Sequence, residues 1–206
     1  MNTLPSGLKQ IAFFLERLPG IGEKTANRLA FHLLRLPDND LKDFSENIRS
    51  LKQKTKLCRV CLNLTEDEVC AICADNQRNK KILTVVEDVV DLISLETGNI
   101  YQGVYHILHG RIDPLNHVSS EDIHIDKLLG RVEKDNDVRE IILATNPDME
   151  GEATAMFIRN KLKEMKKKLK KEFKISRLGY GLPMGANLEY ADYMTLKKAI
   201  ENRNEY

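Results

Sequence analysis

Four cysteines, Cys58, Cys61, Cys70 and Cys73, are all that the chain contains, and they fall in one short stretch. The pattern is C-x2-C, eight residues, then C-x2-C. Two residues between paired thiolates let both sulfurs face one point from a tight turn. Two such knuckles complete a tetrahedron around zinc, with Zn–S near ~2.3 Å. All four positions are filled by cysteine, so no site is left open for a water or substrate, and the expected metal is structural zinc. Disulfides and a redox-active pair are the alternatives, though two CxxC units at this distance read as a metal site. Residues 1–20 lack the charged-then-apolar pattern of a secretory leader, so a reduced cytoplasm is expected, where disulfides are rare.

A second constellation addresses phosphate. Leu18-Pro19-Gly20-Ile21-Gly22 separates two amphipathic runs, one with Leu8, Ile11, Leu15 and Leu18 and one with Ala26, Leu29, Ala30, Leu33 and Leu34 on its apolar side. Two helices around such a turn form a helix-hairpin-helix. Gly20 and Gly22 lack Cβ atoms, so backbone amides at a helix N-terminus can approach a phosphate oxygen. Lys24 and Arg28, four apart, share a helix face beside it. These four residues are the candidate DNA contacts, and such contacts hold a backbone without reading bases. Gly22-Glu23-Lys24-Thr25 is not a nucleotide-binding loop, because Glu23 interrupts the Gly-Lys step and a helix rather than a strand precedes it.

The third constellation is acidic: Glu87, and the loop Thr145-Asn146-Pro147-Asp148-Met149-Glu150-Gly151-Glu152. Carboxylates grouped at strand ends could hold Mg2+, with Glu87 and Asp148 the candidate ligands. The alternative is helix capping and packing, which suits Glu152 better. His106, His109, His117 and His124 form no ligand set by spacing.

The elements that position these groups can be read from periodicity. Leu41, Phe44, Ile48 and Leu51 predict a third N-terminal helix with Asp40 as its N-cap. Fifty-seven residues make a marginal core, and the zinc module is expected to fix this small domain to the rest of the chain. From Lys81 the period changes. Ile82–Val86, Val104–Leu108, Glu140–Ala144 and Phe173–Ser176 read as buried strands, alternating with helices around Val89–Ile93 and from Gly151 to Met165. This alternation predicts an α/β layer with a mainly parallel sheet, whose ligands sit beyond the carboxyl ends of the strands.

Of the 206 residues, 42% are hydrophobic and 31% charged, and the formal net charge is +1. Charge is segregated. Residues 1–60 hold 11 Lys/Arg against 6 Asp/Glu, and residues 163–177 hold 8 against 2. The second run reads either as a solvated helix face or as a further phosphate-facing surface. No run approaches the length of a membrane span.

Taken in order, these parts closely resemble the RecR family of bacterial recombination mediator proteins. The resemblance rests on LPGIGEKTANRLAFHLL from Leu18 to Leu34, the four cysteines, GVYHILHG from Gly103 to Gly110, ATNPDMEGEATA from Ala144 to Ala155, GLPMG from Gly181 to Gly185 and LEYAD from Leu188 to Asp192. It implies a helix-hairpin-helix DNA-binding domain over 1–57, a C4 zinc finger over 58–73, a Toprim domain over 81–177 and a C-terminal Walker-B-like or oligomerisation segment over 178–206. It implies a non-enzymatic DNA-binding role with RecO, and in many bacteria RecF, helping RecA replace single-strand-binding protein at gaps. It implies a ring-like homotetramer. Two departures stand out. Topoisomerase-type Toprim domains carry D-x-D where this chain has Asn146-Pro147-Asp148, which argues against strand cleavage. Asn116-His117-Val118-Ser119-Ser120 stands where family members often have a glycine-rich turn. A Mg2+-dependent nuclease or primase-like enzyme is the competing expectation.

Overall fold

A computed structural model describes residues 4–99, 101–179 and 181–203. The remaining few residues of the expected N- and C-terminal segments, with residues 100 and 180, lie outside the described residues. The chain divides into two compact units between Thr55 and Lys56.

The first unit is three helices: α1 (Ser6–Glu16), α2 (Glu23–Leu33) and α3 (Asp38–Lys54). Leu8, Ala12 and Ala30 form its small core, with Leu4 and Leu15 against them, and Ala26 is also buried. Alanine at the α1–α2 contact lets two backbones approach closely. The apolar stripes expected to point inward do so only in part. Ile11, Leu18 and Leu34 are exposed, and α3 buries no residue at all. Leu41, Phe44, Ile48 and Leu51 face outward, as do Phe13 and Phe14. The core lies between α1 and α2 alone, and α3 packs too little against either to bury its stripe. Nor is Asp40 the N-cap of α3. The helix starts two residues earlier behind Pro37, and Asp38 and Asp40 lie in its first turn, where the helix dipole favours acids.

The second unit opens with a hairpin of β1 (Lys56–Leu57) and β2 (Leu64–Thr65) and a single helical turn, α4 (Ala71–Ala74), which carry the cysteines. This module is bound to the sheet of its own unit. Ile107 N–H donates to Cys61 O (2.9 Å), and His109 Nε2 lies 2.7 Å from Leu62 O.

The sheet contains β3 (Asn79–Val86), β4 (Gly103–Ile107), β5 (Glu140–Leu143) and β6 (Lys174–Arg177), all parallel, in the order β4-β3-β5-β6. Helices cover both faces, as a parallel sheet requires. On one side α6 (Ile125–Lys134) and α7 (Met149–Leu169) pack Ile125, Leu128, Val132, Ala155, Ile158 and Leu162 against Leu83, Val85, Val104, Ile141 and Leu143. On the other, α5 (Val89–Thr97) brings Leu92 to Val86, Tyr105 and Ile107. Beyond β6, a 3-10 turn (Leu188–Tyr190) and α8 (Tyr193–Glu201) bury no residue.

A half-buried polar cluster locks α5 to the sheet. Arg78 Nη1 donates to Glu96 Oε1 (2.8 Å) and to Tyr101 O (3.2 Å), Nη2 pairs with the other Glu96 oxygen, and the Tyr105 hydroxyl donates to Glu96 Oε1 (2.6 Å). Arg78, then Tyr105, hold the Glu96 carboxyl below its ordinary range against the opposing effect of burial. Replacing Glu96 by Ala removes the main partner of a nearly buried guanidinium, leaving it Asp75 at 3.8 Å and backbone carbonyls, and is expected to cost about 1–3 kcal/mol, below the range for a fully buried pair because those partners remain and Glu96 is partly wet. A carboxyl depressed by folding contributes stability above its unfolded pKa of ~4.3 and loses it as pH falls through the lower folded value. Urea titrations at pH 7 and pH 3 check both points: the Glu96→Ala deficit should be full at pH 7 and shrink at pH 3.

Candidate functional site

The cysteines sit where two turns face each other. Their four sulfurs lie within 4.8 Å of one another, with Cys61 Sγ and Cys70 Sγ 3.5 Å apart. A tetrahedral Zn–S4 centre with bonds near ~2.3 Å has sulfur–sulfur edges of about 3.8 Å, so the set fits zinc. Cys58, Cys61 and Cys70 are buried. Backbone amides point at the sulfurs: Asn63 N–H donates to Cys61 Sγ (3.4 Å) and Cys70 N–H to Cys58 Sγ (3.3 Å). Leu62 completes the first knuckle in the left-handed region, at φ 66°. The neighbouring Cys70 sulfur and burial push the Cys61 thiol up. A dication among the sulfurs reverses that, since a coordinated thiol is held deprotonated.

The acidic residues meet at the switch point of the sheet. From β3 the chain moves to one side, to β4, and from β5 to the other, to β6, so the carboxyl ends of β3 and β5 flank a crevice. Glu87 comes directly after β3, and Asn146 lies just beyond β5. Glu87 is 3% exposed, and both its oxygens accept from Asn146: Oε1 from the backbone N–H and Oε2 from Nδ2, each at 2.8 Å. Burial raises the Glu87 carboxyl, and these two hydrogen bonds oppose the rise. Asp148 is the N-cap of α7, accepting from Gly151 N–H (2.7 Å) through one oxygen, while the other pairs with Arg111. A Cβ on Gly151 would lie 2.2 Å from Asn146 O and 2.7 Å from Glu87 Oε1, so only glycine permits this closeness. Arg177 braces the loop from β6, donating to Leu143 O (2.8 Å), Asn146 O (3.1 Å) and Glu152 Oε1 (2.7 Å).

Both candidate Mg2+ ligands are therefore engaged by protein donors. An amide stands where a metal site would place its first acid, and a guanidinium already meets the charge of Asp148. Among the described residues, no carboxylate group converges as the cysteines do. As arranged, these residues do not fit a Mg2+ site. Beside them His117 adopts φ 58°, in a tight turn closed by the Asp113–Val118 bridge. A histidine here accepts the left-handed conformation that a glycine-rich turn would otherwise supply.

In the first unit Gly20 has φ 80°, a conformation that favours glycine, while Gly22 is the extended N-cap of α2. Lys24 and Arg28 are exposed on α2 and line, with Asn27, Phe31, His32 and Arg35, a cleft of about 450 Å3. The lysine run at the end of α7 is partly structural. Lys171 Nζ donates to the carbonyls of Val132, Glu133 and Asp135 at 3.0, 2.5 and 3.0 Å, closing the end of α6, and Lys166 donates to Phe173 O (3.2 Å). Arg111 and Arg177 were invisible to spacing, because each acts on a loop far away in sequence. The stripe of α6 could have been found: Ile125, Leu128 and Val132 recur at three and four.

Four family models match the chain in order. They are the RecR helix-hairpin-helix over residues 10–51, the RecR zinc finger domain with four cysteine ligands over 55–75, the Toprim domain over 81–178 and the RecR C-terminal region over 181–204. The "Recombination protein RecR" of Myxococcus xanthus (strain DK1622) is 45% identical over 201 residues, covering 98% of each chain. Similarity of that extent, carried through all four parts in the same order, means that this chain belongs to the RecR family.

Proposed function

We propose that the chain is a DNA-binding recombination mediator in DNA repair. In this reading it acts with RecO, and with RecF where present, to help RecA replace single-strand-binding protein at gapped or single-stranded DNA. The observation that carries the reading is the full-length similarity to a recombination protein. The helix-hairpin-helix supplies phosphate contacts through the amides after Gly20 and Gly22 and through Lys24 and Arg28. Zinc, held by Cys58, Cys61, Cys70 and Cys73, supplies folding energy to its module. The work is done in the cytoplasm. Among the described residues no helix is long and apolar enough to cross a membrane.

The chain works as a ring-like homotetramer. Supporting this, each unit exposes large apolar side chains: Phe44, Ile48 and Leu51 on α3 and Phe13 and Phe14 on α1 in the first, and Leu188, Tyr190, Tyr193 and Ile200 in the second. Two unlike self-association surfaces per chain are what a closed ring of dimers uses. A ring gathers several weak DNA-binding motifs and raises their joint affinity through effective concentration.

No bond is made or broken by this chain in that role. Glu87 and Asp148 scaffold the loop that opens α7 rather than hold a metal. The test is twofold. With RecO present, the protein should speed RecA filament assembly on gapped DNA coated with single-strand-binding protein. Nicked or gapped DNA incubated with the protein and Mg2+ should be neither cut nor extended. Mg2+-dependent product that disappears with Glu87→Ala would replace the mediator reading with the nuclease or primase-like one.

A further inference from the structure

The cleft on α2 extends past the two basic residues that the motif itself points to. Lys24, Arg28, Phe31 and Arg35 lie along one helical stripe, the last three being four, seven and eleven residues beyond Lys24, with Arg35 in the turn just after the helix. Asn27 and His32 lie beside them on the same face. No acidic side chain lines the cleft, and Lys24, Arg28 and Arg35 enter no ion pair among the described residues. The aromatic ring in this setting is unusual. Phe31 is 45% exposed, and the packing of α2 is carried instead by Ala26 and Ala30, each 1% exposed. Phe31 is no part of the small core of its unit. Nor does it share the surroundings of the exposed stripe on α3, because its neighbours in the cleft are cationic or polar.

An aromatic face set among unpaired cations suits one ligand chemistry, a base carried on a phosphate backbone. We propose that this cleft takes an unstacked nucleotide of single-stranded DNA, its base on the Phe31 ring and its flanking phosphates between Lys24, Arg28 and Arg35. Every base has a π-face, so stacking of this kind tolerates any sequence. A base inside a duplex has both faces covered by its neighbours and cannot reach the ring. Phosphate contacts alone favour the duplex, whose charge density is higher, so Phe31 would shift the motif's preference towards a single strand. The Asn27 amide can donate to or accept from a base edge or sugar. This inference rests on the DNA-binding reading above and makes it more specific.

The experiment uses the full-length protein and two probes of equal length, an oligo-dT and an abasic oligonucleotide with the same phosphate spacing, measured by fluorescence anisotropy across a salt series. The wild type should bind oligo-dT at least about fivefold more tightly than the abasic strand, from a single stacked base. Phe31→Leu should erase that difference while leaving abasic affinity, salt slope and the mass of the assembly unchanged. Phe31→Trp should preserve the difference, which guards against mere misfolding of the leucine variant. Equal preference for bases in the wild type and Phe31→Leu overturns the inference, as does a change in assembly mass with Phe31→Leu, which would make the ring a subunit contact. A wild type that binds neither probe sinks the DNA-binding reading as well. Binding both probes alike sinks this one alone.

Discussion

Cys61→Ser should empty the metal centre and unfold its module. Three thiols and a hydroxyl cannot match four thiolates for zinc, and the binding energy of structural zinc, on the order of 10–16 kcal/mol in small peptides, is also folding energy. A whole domain is stable by only about 5–15 kcal/mol, so no reserve in this small module offsets the loss. The module has two short strands of two residues each and one helical turn, with a core made mainly of the cysteines themselves. Damage should travel to the sheet by a defined route. Cys61 O accepts from Ile107 N–H at the end of β4, and Leu62 O from the His109 ring. Zinc per chain should fall from one towards zero, the melting temperature should drop, and the Ile107 amide should lose hydrogen-exchange protection while the centre of β3 keeps it. A Cys61→Ser protein with wild-type melting and wild-type Ile107 protection would show that the centre does not hold the fold.

Lys24→Ala with Arg28→Ala should nearly abolish DNA binding at moderate salt. Neither residue packs in the core or pairs with an acid among the described residues, so the change removes charge with little effect on the fold. Each phosphate contact contributes about 0.9 to the slope of log affinity against log salt on duplex DNA and ~0.7 on a single strand. Two lost contacts per engaged subunit should flatten that slope by roughly one and a half to two, with a fall in affinity of about tenfold or more. In a ring with several engaged subunits the losses multiply. Affinity for gapped and single-stranded DNA across a salt series reads the effect, and native mass spectrometry on the same samples should show zinc content and assembly size unchanged. Wild-type affinity and slope in the double variant would move the DNA surface elsewhere. The lysines at the end of α7 are a weaker replacement than their number suggests, because Lys166 and Lys171 are committed to backbone carbonyls.

What the sequence determined by itself was whatever depends on neighbours in the chain. The four-cysteine cluster was legible because all four lie in one stretch and each pair spans a single turn. The helical hairpin was legible because its turn residues and its stripes repeat at short spacing. The strands β3, β4 and β5 were legible as apolar runs because a sheet covered on both faces leaves little polar alternation, whereas the edge strand β6 carries one apolar residue, Ile175. The tertiary structure alone decided what depends on distant segments. Strand order put Glu87 and Asn146 at one crevice although 59 residues separate them, and Arg111 found Asp148 across 37. Two carboxylates that read as candidate metal ligands meet hydrogen-bond donors there, Glu87 through Asn146 and Asp148 as a helix cap. The direction of the α3 stripe was equally undetermined. Periodicity shows that a helix has an apolar side, but the volume enclosed by its neighbours decides whether that side is buried within the chain or left for another surface to cover.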